Sequence, residues 1–157
     1  MSYRERVDHA IQSIGSQLGT PLSLAADGTL SLAFDGSRSC RVAVSETDER
    51  VVLLAAIAEV HAEARAPLFE AALRLNFDRT RTDGGIVGYH ADRRELVVFT
   101  TIVGEIDADR LAGILNGFLR SALALRRTLD ETLQSYRPQT ASMPPADDRL
   151  DSSLLKV

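Results

Sequence analysis

The segment Ala66-Pro67-Leu68-Phe69-Glu70-Ala71-Ala72-Leu73-Arg74-Leu75-Asn76-Phe77 restricts the possible folds more than any other in the chain. Pro67 suits the first turn of a helix, where its missing N–H forfeits no bond. At about 100° per residue the apolar side chains of such a helix span an arc of roughly 240°. Leu68, Ala71, Ala72 and Leu75 form one face, and Phe69, Leu73 and Phe77 run down a second. An ordinary surface helix carries a single apolar stripe a little over ~100° wide. This one needs cover on two sides. A sheet of its own domain supplies one, and a second copy of the chain is an economical source of the other. Burial of the whole helix within one domain accounts for the same pattern, so periodicity alone leaves both open.

The remaining elements follow from local signals. Ser2 and Glu5 fit a capping box, and Val7, Ala10, Ile11, Ile14 and Leu18 repeat at helical spacing up to a Gly19 cap and Pro21. Leu30, Leu32 and Phe34 alternate along a strand that meets the turn signal Asp35-Gly36. Cys40, Val42 and Val44 alternate in a second strand. Val51 to Ala58 is apolar nearly throughout, as expected of a central strand covered on both faces. Leu22-Ser23-Leu24 could add a short edge strand. Ile86 to Ala91 and Glu95 to Val103 make two further strands. Asp107 caps a long last helix with apolar positions at Leu111, Ile114, Leu115, Phe118, Leu119, Ala122, Leu125 and Leu129. The order helix-β-β-β-helix-β-β-helix indicates an α+β fold, an antiparallel twisted sheet with helices packed on it. The 157 residues divide into a domain over 1–136 and a Pro/Ser/Asp-rich tail over 137–157. The tail is expected to be disordered, with docking of its end, Leu150, Leu154, Leu155 and Val157, as a short amphipathic turn the lesser alternative.

Composition and motifs argue against chemistry. A formal charge of −4 argues against a nucleic-acid partner, which would want a basic face, and leaves a basic or amphipathic polypeptide partner open. No apolar run reaches the ~18 residues of a membrane helix, and the polar start Met1-Ser2-Tyr3-Arg4-Glu5 lacks the h-region of a signal peptide. A cytoplasmic protein without membrane insertion is expected. His9, His61 and His90 fall in three elements without metal-ligand spacing, and no HExxH, CxxC, GxSxG or Walker pattern occurs. Gly84-Gly85 precedes a strand, the wrong order for a phosphate-binding turn. Cys40 sits in a strand pattern and reads as a small buried hydrophobe. No catalytic residue, metal site or cofactor is expected. What stands out is apolar surface in need of a partner.

Four stretches, in this order and spacing, resemble the class I type III secretion chaperones of the CesT/Tir chaperone family. Leu30-Ser31-Leu32-Ala33-Phe34-Asp35 is similar to the family's first strand and turn, and Val52-Leu53-Leu54-Ala55-Ala56-Ile57 to its third strand. Leu68 to Phe77 is similar to its "LLxxLLxxNF" helix. Gly84 to His90, with Leu96-Val97-Val98 and Ile106-Asp107, is similar to its glycine-led fourth strand, its fifth strand and the entry to its last helix. The resemblance implies a bacterial, virulence-associated homodimer that binds the N-terminal segment of one or more secreted effectors. It would hold that segment extended until export, with the secretion ATPase as a further partner and no catalysis of its own. On this reading the dimer interface is expected at Leu68, Phe69, Ala72, Leu75, Ile86 and Val87. The effector surface is expected at Ile11, Ile14, Leu18, Leu30, Leu32, Phe34, Val42 and Val44, although alternation does not separate groove from core at any of them. Alternatives are a regulatory anti-activator that sequesters a cytoplasmic protein, a small-molecule-binding α+β domain, and a structural dimerisation module.

Overall fold

A computed structural model describes residues 1–136 apart from 35 and 37. The tail 137–157, and position 35 of the expected Asp35-Gly36 turn, lie outside the described residues. The elements are α1 (Tyr3–Leu18), β1 (Thr29–Phe34), β2 (Arg38–Ser45), β3 (Arg50–Glu59), a 3₁₀ turn (Ala62–Ala64), α2 (Arg65–Phe77), β4 (Ile86–His90), β5 (Glu95–Val103) and α3 (Ala108–Ser135). The strands form one antiparallel sheet in the order β1-β2-β3-β5-β4, which leaves β1 and β4 as its edges.

The helix ends are closed as their sequences require. The Ser2 hydroxyl accepts the Glu5 N–H while the Glu5 carboxylate accepts the Ser2 N–H. Asp107 caps α3 by accepting the Arg110 N–H at 2.8 Å. Gly19 ends α1 in the left-handed region, φ 67°, where a side chain would be strained. The turn that follows folds back so closely that a Cβ on Gly15 would lie 2.5 Å from the Thr20 carbonyl oxygen and 2.9 Å from the Leu22 nitrogen. Gly15 therefore lets the segment carrying Leu22 cross the end of α1. Leu22–Leu24 do not form the expected edge strand. The Leu24 N–H, which a strand would have paired in the sheet, donates instead to Asp8 of α1 at 2.7 Å.

Burial divides the sheet sharply. Val51, Leu53, Ala55 and Ile57 of β3 are at most 1% exposed. With Cys40, Val42, Val98 and Ile102 they make the face against which the helices pack. α1 contributes Val7, Ala10, Ile11 and Ile14 to this core. α2 contributes Leu68, Ala72 and Leu75, and α3 contributes Leu111, Phe118, Ala122, Leu125 and Leu129. The intervening residues Val52, Leu54, Ala56 and Ala58 are only half-buried. The expectation that β3 is covered on both faces is thus corrected: the helices share one face and leave the other open within a protomer. The uninterrupted apolar run of β3 hides this asymmetry, because small residues such as Ala56 and Ala58 tolerate partial exposure.

Edge strand β4 is shielded by α2. The Asn76 side-chain oxygen accepts the Val87 N–H at 2.7 Å, and its amide nitrogen donates to the Val87 carbonyl at 2.8 Å. One side chain thereby satisfies both outward-facing backbone groups of Val87, as a further strand would.

Candidate functional site

Two apolar surfaces stand out. The first is a shallow slot lined by Ile11 and Ile14 of α1, Leu22, Leu30 and Leu32 of β1, Val42 of β2, and Leu111 and Leu115 of α3. Every lining side chain is apolar. Ile11, Ile14, Val42 and Leu111 are buried at the floor, whereas Leu22, Leu30, Leu32 and Leu115 are half-buried and form the accessible walls. Five residues expected at an effector surface, Ile11, Ile14, Leu30, Leu32 and Val42, therefore converge here. Phe34 and Val44 are half-buried outside the lining, and Leu18 is 70% exposed beyond it. Leu22, Leu111 and Leu115 belong to the slot although the sequence reading left them out. Leu111 and Leu115 had been absorbed into the core stripe of α3, and Leu22 reaches the slot only because Gly15 has no side chain.

The slot lies against a free sheet edge. The Val44 N–H donates to the Gly28 carbonyl at 3.0 Å, so Gly28 and, by alternation, Leu30, Leu32 and Phe34 direct their backbone groups toward β2. Thr29, Ser31 and Ala33 direct theirs outward. Those of Thr29 are occupied: its N–H donates to Asp27 and its carbonyl accepts from Ala25. Ser31 and Ala33 present an edge that an extended chain can join.

The second surface lies at the opposite end of the sheet. Phe77 is 94% exposed and Leu73 is 72% exposed on α2, with Ile86 at 52% on the edge of β4. Ile86 pairs across the sheet with Phe99. Of the residues expected at a dimer interface, Leu68, Ala72, Leu75 and Val87 lie in the protomer core and have almost no surface left to offer a second copy. Phe69 is half-buried, edge-on to Tyr89 at a centroid distance of 4.9 Å, with the Arg65 guanidinium over both rings. Ile86 is exposed. The outward apolar residues of α2 are Leu73 and Phe77, on the second face of its wide arc.

The titratable groups play structural parts. Burial pushes the Cys40 thiol up to about 11. Burial also raises the Tyr3 phenol, whose hydroxyl donates to the Gly104 carbonyl at 3.2 Å. Asp27 and Asp78 are lowered by hydrogen bonds from Thr29 and Thr80 within their own turns. Among the described residues, no three His, Cys, Asp or Glu side chains gather as a metal-binding group, and no helix is long and apolar enough to cross a membrane.

The model of the Tir chaperone protein (CesT) family matches residues 9–126, from within α1 to the later turns of α3. The chain belongs to this family. Its match therefore takes in both the slot and the outer face of α2. Among solved structures, a chain in the crystal structure of the ExsC–ExsE complex is 20% identical, with a TM-score of 0.73 over 82% of this chain and 97% of that one. A chain of the HopA1–SchA chaperone–effector complex is 15% identical, with a TM-score of 0.63 over 79% and 95%. The Yersinia pestis type III secretion chaperone structure of SycH with a YscM2 fragment matches at 13% identity and a TM-score of 0.56, over 75% and 98%. These likenesses establish a shared fold, and nearly the whole of each neighbouring chain is covered. No curated protein is significantly similar in sequence.

Proposed function

We propose that the chain is a cytoplasmic type III secretion chaperone that binds an extended segment near the N-terminus of one or more secreted effectors. It keeps that segment competent for export and performs no catalysis. The observation that carries this reading is the all-apolar slot of Ile11, Ile14, Leu22, Leu30, Leu32, Val42, Leu111 and Leu115 beside the free β1 edge. A client strand added at Ser31 and Ala33 makes main-chain hydrogen bonds, while its alternate apolar side chains pack over the half-buried walls of the slot. The ordering cost borne by an unfolded client keeps such binding reversible. The neighbouring structures support the reading in that HopA1–SchA is a chaperone–effector complex and SycH is a type III secretion chaperone. The protein acts as a homodimer through the second apolar surface, with Leu73, Phe77 and Ile86 as its centre and Phe69 at its margin.

The test is capture of bound proteins by the tagged full chain from its own bacterium under secretion-inducing conditions, read by mass spectrometry. One or a few secreted proteins, held through a segment near their N-termini, are expected. Leu32→Glu removes capture from a protein whose circular dichroism is unchanged. Ser31→Pro deletes only an outward N–H, which an edge strand tolerates, and weakens capture without loss of stability. A folded regulator as the sole captured partner refutes the effector reading in favour of an anti-activator. An empty capture refutes a client-binding role for the slot.

A further inference from the structure

The chain just before β1 begins as a further strand and is then drawn away. The Ala25 N–H donates to the Thr29 carbonyl at 2.7 Å and the Gly28 N–H to the Ala25 carbonyl at 2.9 Å, with Gly28 at φ 79°. This is a tight hairpin turn with its left-handed position on glycine. Continued backwards, its ladder sets Leu24 across from Leu30, Ser23 across from Ser31 and Leu22 across from Leu32. Ser23 would then occupy the outward N–H and C=O of Ser31, and Leu22 and Leu24 would lie on the slot face beside their partners. Pro21, which has no N–H, would end the pairing across from Ala33. The sequence thus carries a strand of its own for the position proposed for the client.

Helix α1 holds this segment elsewhere. The Arg4 guanidinium donates to the Ala25 carbonyl at 2.6 Å. Asp8 accepts the Leu24 N–H at 2.7 Å through one oxygen and the Gln12 side-chain amide at 2.7 Å through the other. Gly15 leaves the space in which Thr20 and Leu22 cross. At about 100° per residue these three positions fall within roughly 40° of one another, so they make one seat along α1. Of the three, Asp8 alone grips the part that would pair: Arg4 binds at the turn, and Gly15 supplies room but no bond. In this seat Leu22 and Leu24 are half-buried and Ser23 is exposed. The same alternation therefore serves both arrangements, and the residues of α1 decide between them.

We infer that Asp8 is a positioning residue for the client edge: by holding Leu24 against α1 it keeps Leu22-Ser23-Leu24 from adding to β1 where the client adds. This role rests on the client reading, but the place of the segment is measurable without a client. A strand continuous with the hairpin acts at an effective concentration on the order of millimolar, so once released it outcompetes a dilute client for Ser31. A hydrogen bond to a carboxylate, stronger than one between neutral groups, opposes that release.

The experiment compares the full chain with its Asp8→Ala, Asp8→Asn and Asp8→Ala/Ser23→Pro variants. Amide hydrogen exchange and NOE spectroscopy are read without client, and capture is read from the bacterium by mass spectrometry. In Asp8→Ala the Ser31 amide is expected to exchange about 10-fold more slowly, as an added main-chain bond requires, and an Hα–Hα contact between Leu22 and Leu32 appears. Capture of secreted proteins falls. Asp8→Asn keeps an oxygen for the Leu24 N–H and behaves as the unaltered chain. Ser23→Pro removes the N–H that would reach Ser31, so in the Asp8→Ala background it restores both fast Ser31 exchange and capture. Unchanged Ser31 exchange in Asp8→Ala overturns the assignment, as does undiminished capture. Capture that falls in Asp8→Ala and is not regained with Ser23→Pro overturns it in favour of a structural part for Asp8 in α1. If the unaltered chain captures nothing, the client reading fails, and Ser31 exchange still decides whether Asp8 holds the segment off β1.

Discussion

Asn76→Ala tests whether the link between α2 and the edge of β4 holds the sheet closed. Both bonds of Asn76 go to Val87, at 2.7 and 2.8 Å, and Val87 is only 5% exposed. Removing the amide leaves an N–H and a C=O unpaired where water reaches them poorly. A typical net hydrogen bond contributes ~0.5–1.5 kcal/mol, and a partly buried group left unsatisfied costs more. For two bonds the expected loss is about 1–3 kcal/mol. A urea m-value of ~1–3 kcal/mol/M turns that into a midpoint lower by about 1 M. Hydrogen exchange supplies the site-specific readout, since the Val87 amide loses its protection while the β3 amides, which pair within the sheet, keep theirs. Asn76→Asp is the more discriminating variant. It retains an acceptor for the Val87 N–H but places a carboxylate oxygen against the Val87 carbonyl, so at neutral pH it destabilises more than alanine does. In mild acid, where the carboxyl gains a proton to donate, the deficit shrinks. If the midpoint falls while Val87 exchange is unchanged, the loss comes from packing and the edge-closing role is refuted. If neither changes, the two bonds contribute nothing.

Two further outcomes follow from the same coordinates. The Cys40 thiol is raised from 9.0 to about 11 by burial, so the folded state holds this proton more tightly than the unfolded chain. Its contribution is full below about pH 9 and is lost as pH rises toward 11, on the order of 2–3 kcal/mol. Cys40→Ala removes that part of the alkaline slope in a stability–pH series, and because the raised Tyr3 phenol is common to both proteins, only the difference between them is read. Equal slopes would refute the assignment to Cys40. For the homodimer, Leu73→Asp with Phe77→Asp changes side chains that are 72% and 94% exposed. Light scattering should fall from twice to once the 17.1 kDa chain mass with the fold intact. A dimer that persists refutes this surface. Leu68→Asp with Leu75→Asp, in contrast, unfolds the protomer, because both residues are in its core.

How far the structure could be read from the sequence differs between local and non-local features. The Ser2–Glu5 capping box, the Gly19 cap, the Asp107 cap and the alternation of β1 and β2 are decided within a few residues, and each stands where the pattern placed it. Features that depend on which surfaces meet were not legible in this way. The wide apolar arc of α2 marked two faces correctly, but nothing in its spacing tells that Leu68, Ala72 and Leu75 face the protomer core while Leu73 and Phe77 face outward. The Val51–Ala58 run carried the same ambiguity, since an uninterrupted apolar strand fits cover on one face or on two. Leu22–Leu24 alternated as a strand would, but Asp8 took the Leu24 N–H.

The slot shows why a binding surface is harder to read than a core. Leu30 and Leu32 share a strand face with the buried Cys40 and Val42, and the same alternation marks all four. What separates wall from floor is position in the sheet: β1 is an edge, so its apolar residues lie half-buried at the rim, while Cys40 and Val42 of β2 are buried beneath the helices. Strand order therefore decides the matter, and strand order is a non-local property. The same holds for Asn76. Its helix position alone does not tell that its amide occupies both outward backbone groups of Val87 on the β4 edge. The two edges are consequently unequal. On β4 a side chain of the protomer occupies both outward backbone groups of Val87, whereas on β1 those of Ser31 and Ala33 stand beside an apolar slot, which is why the proposed client strand is placed there.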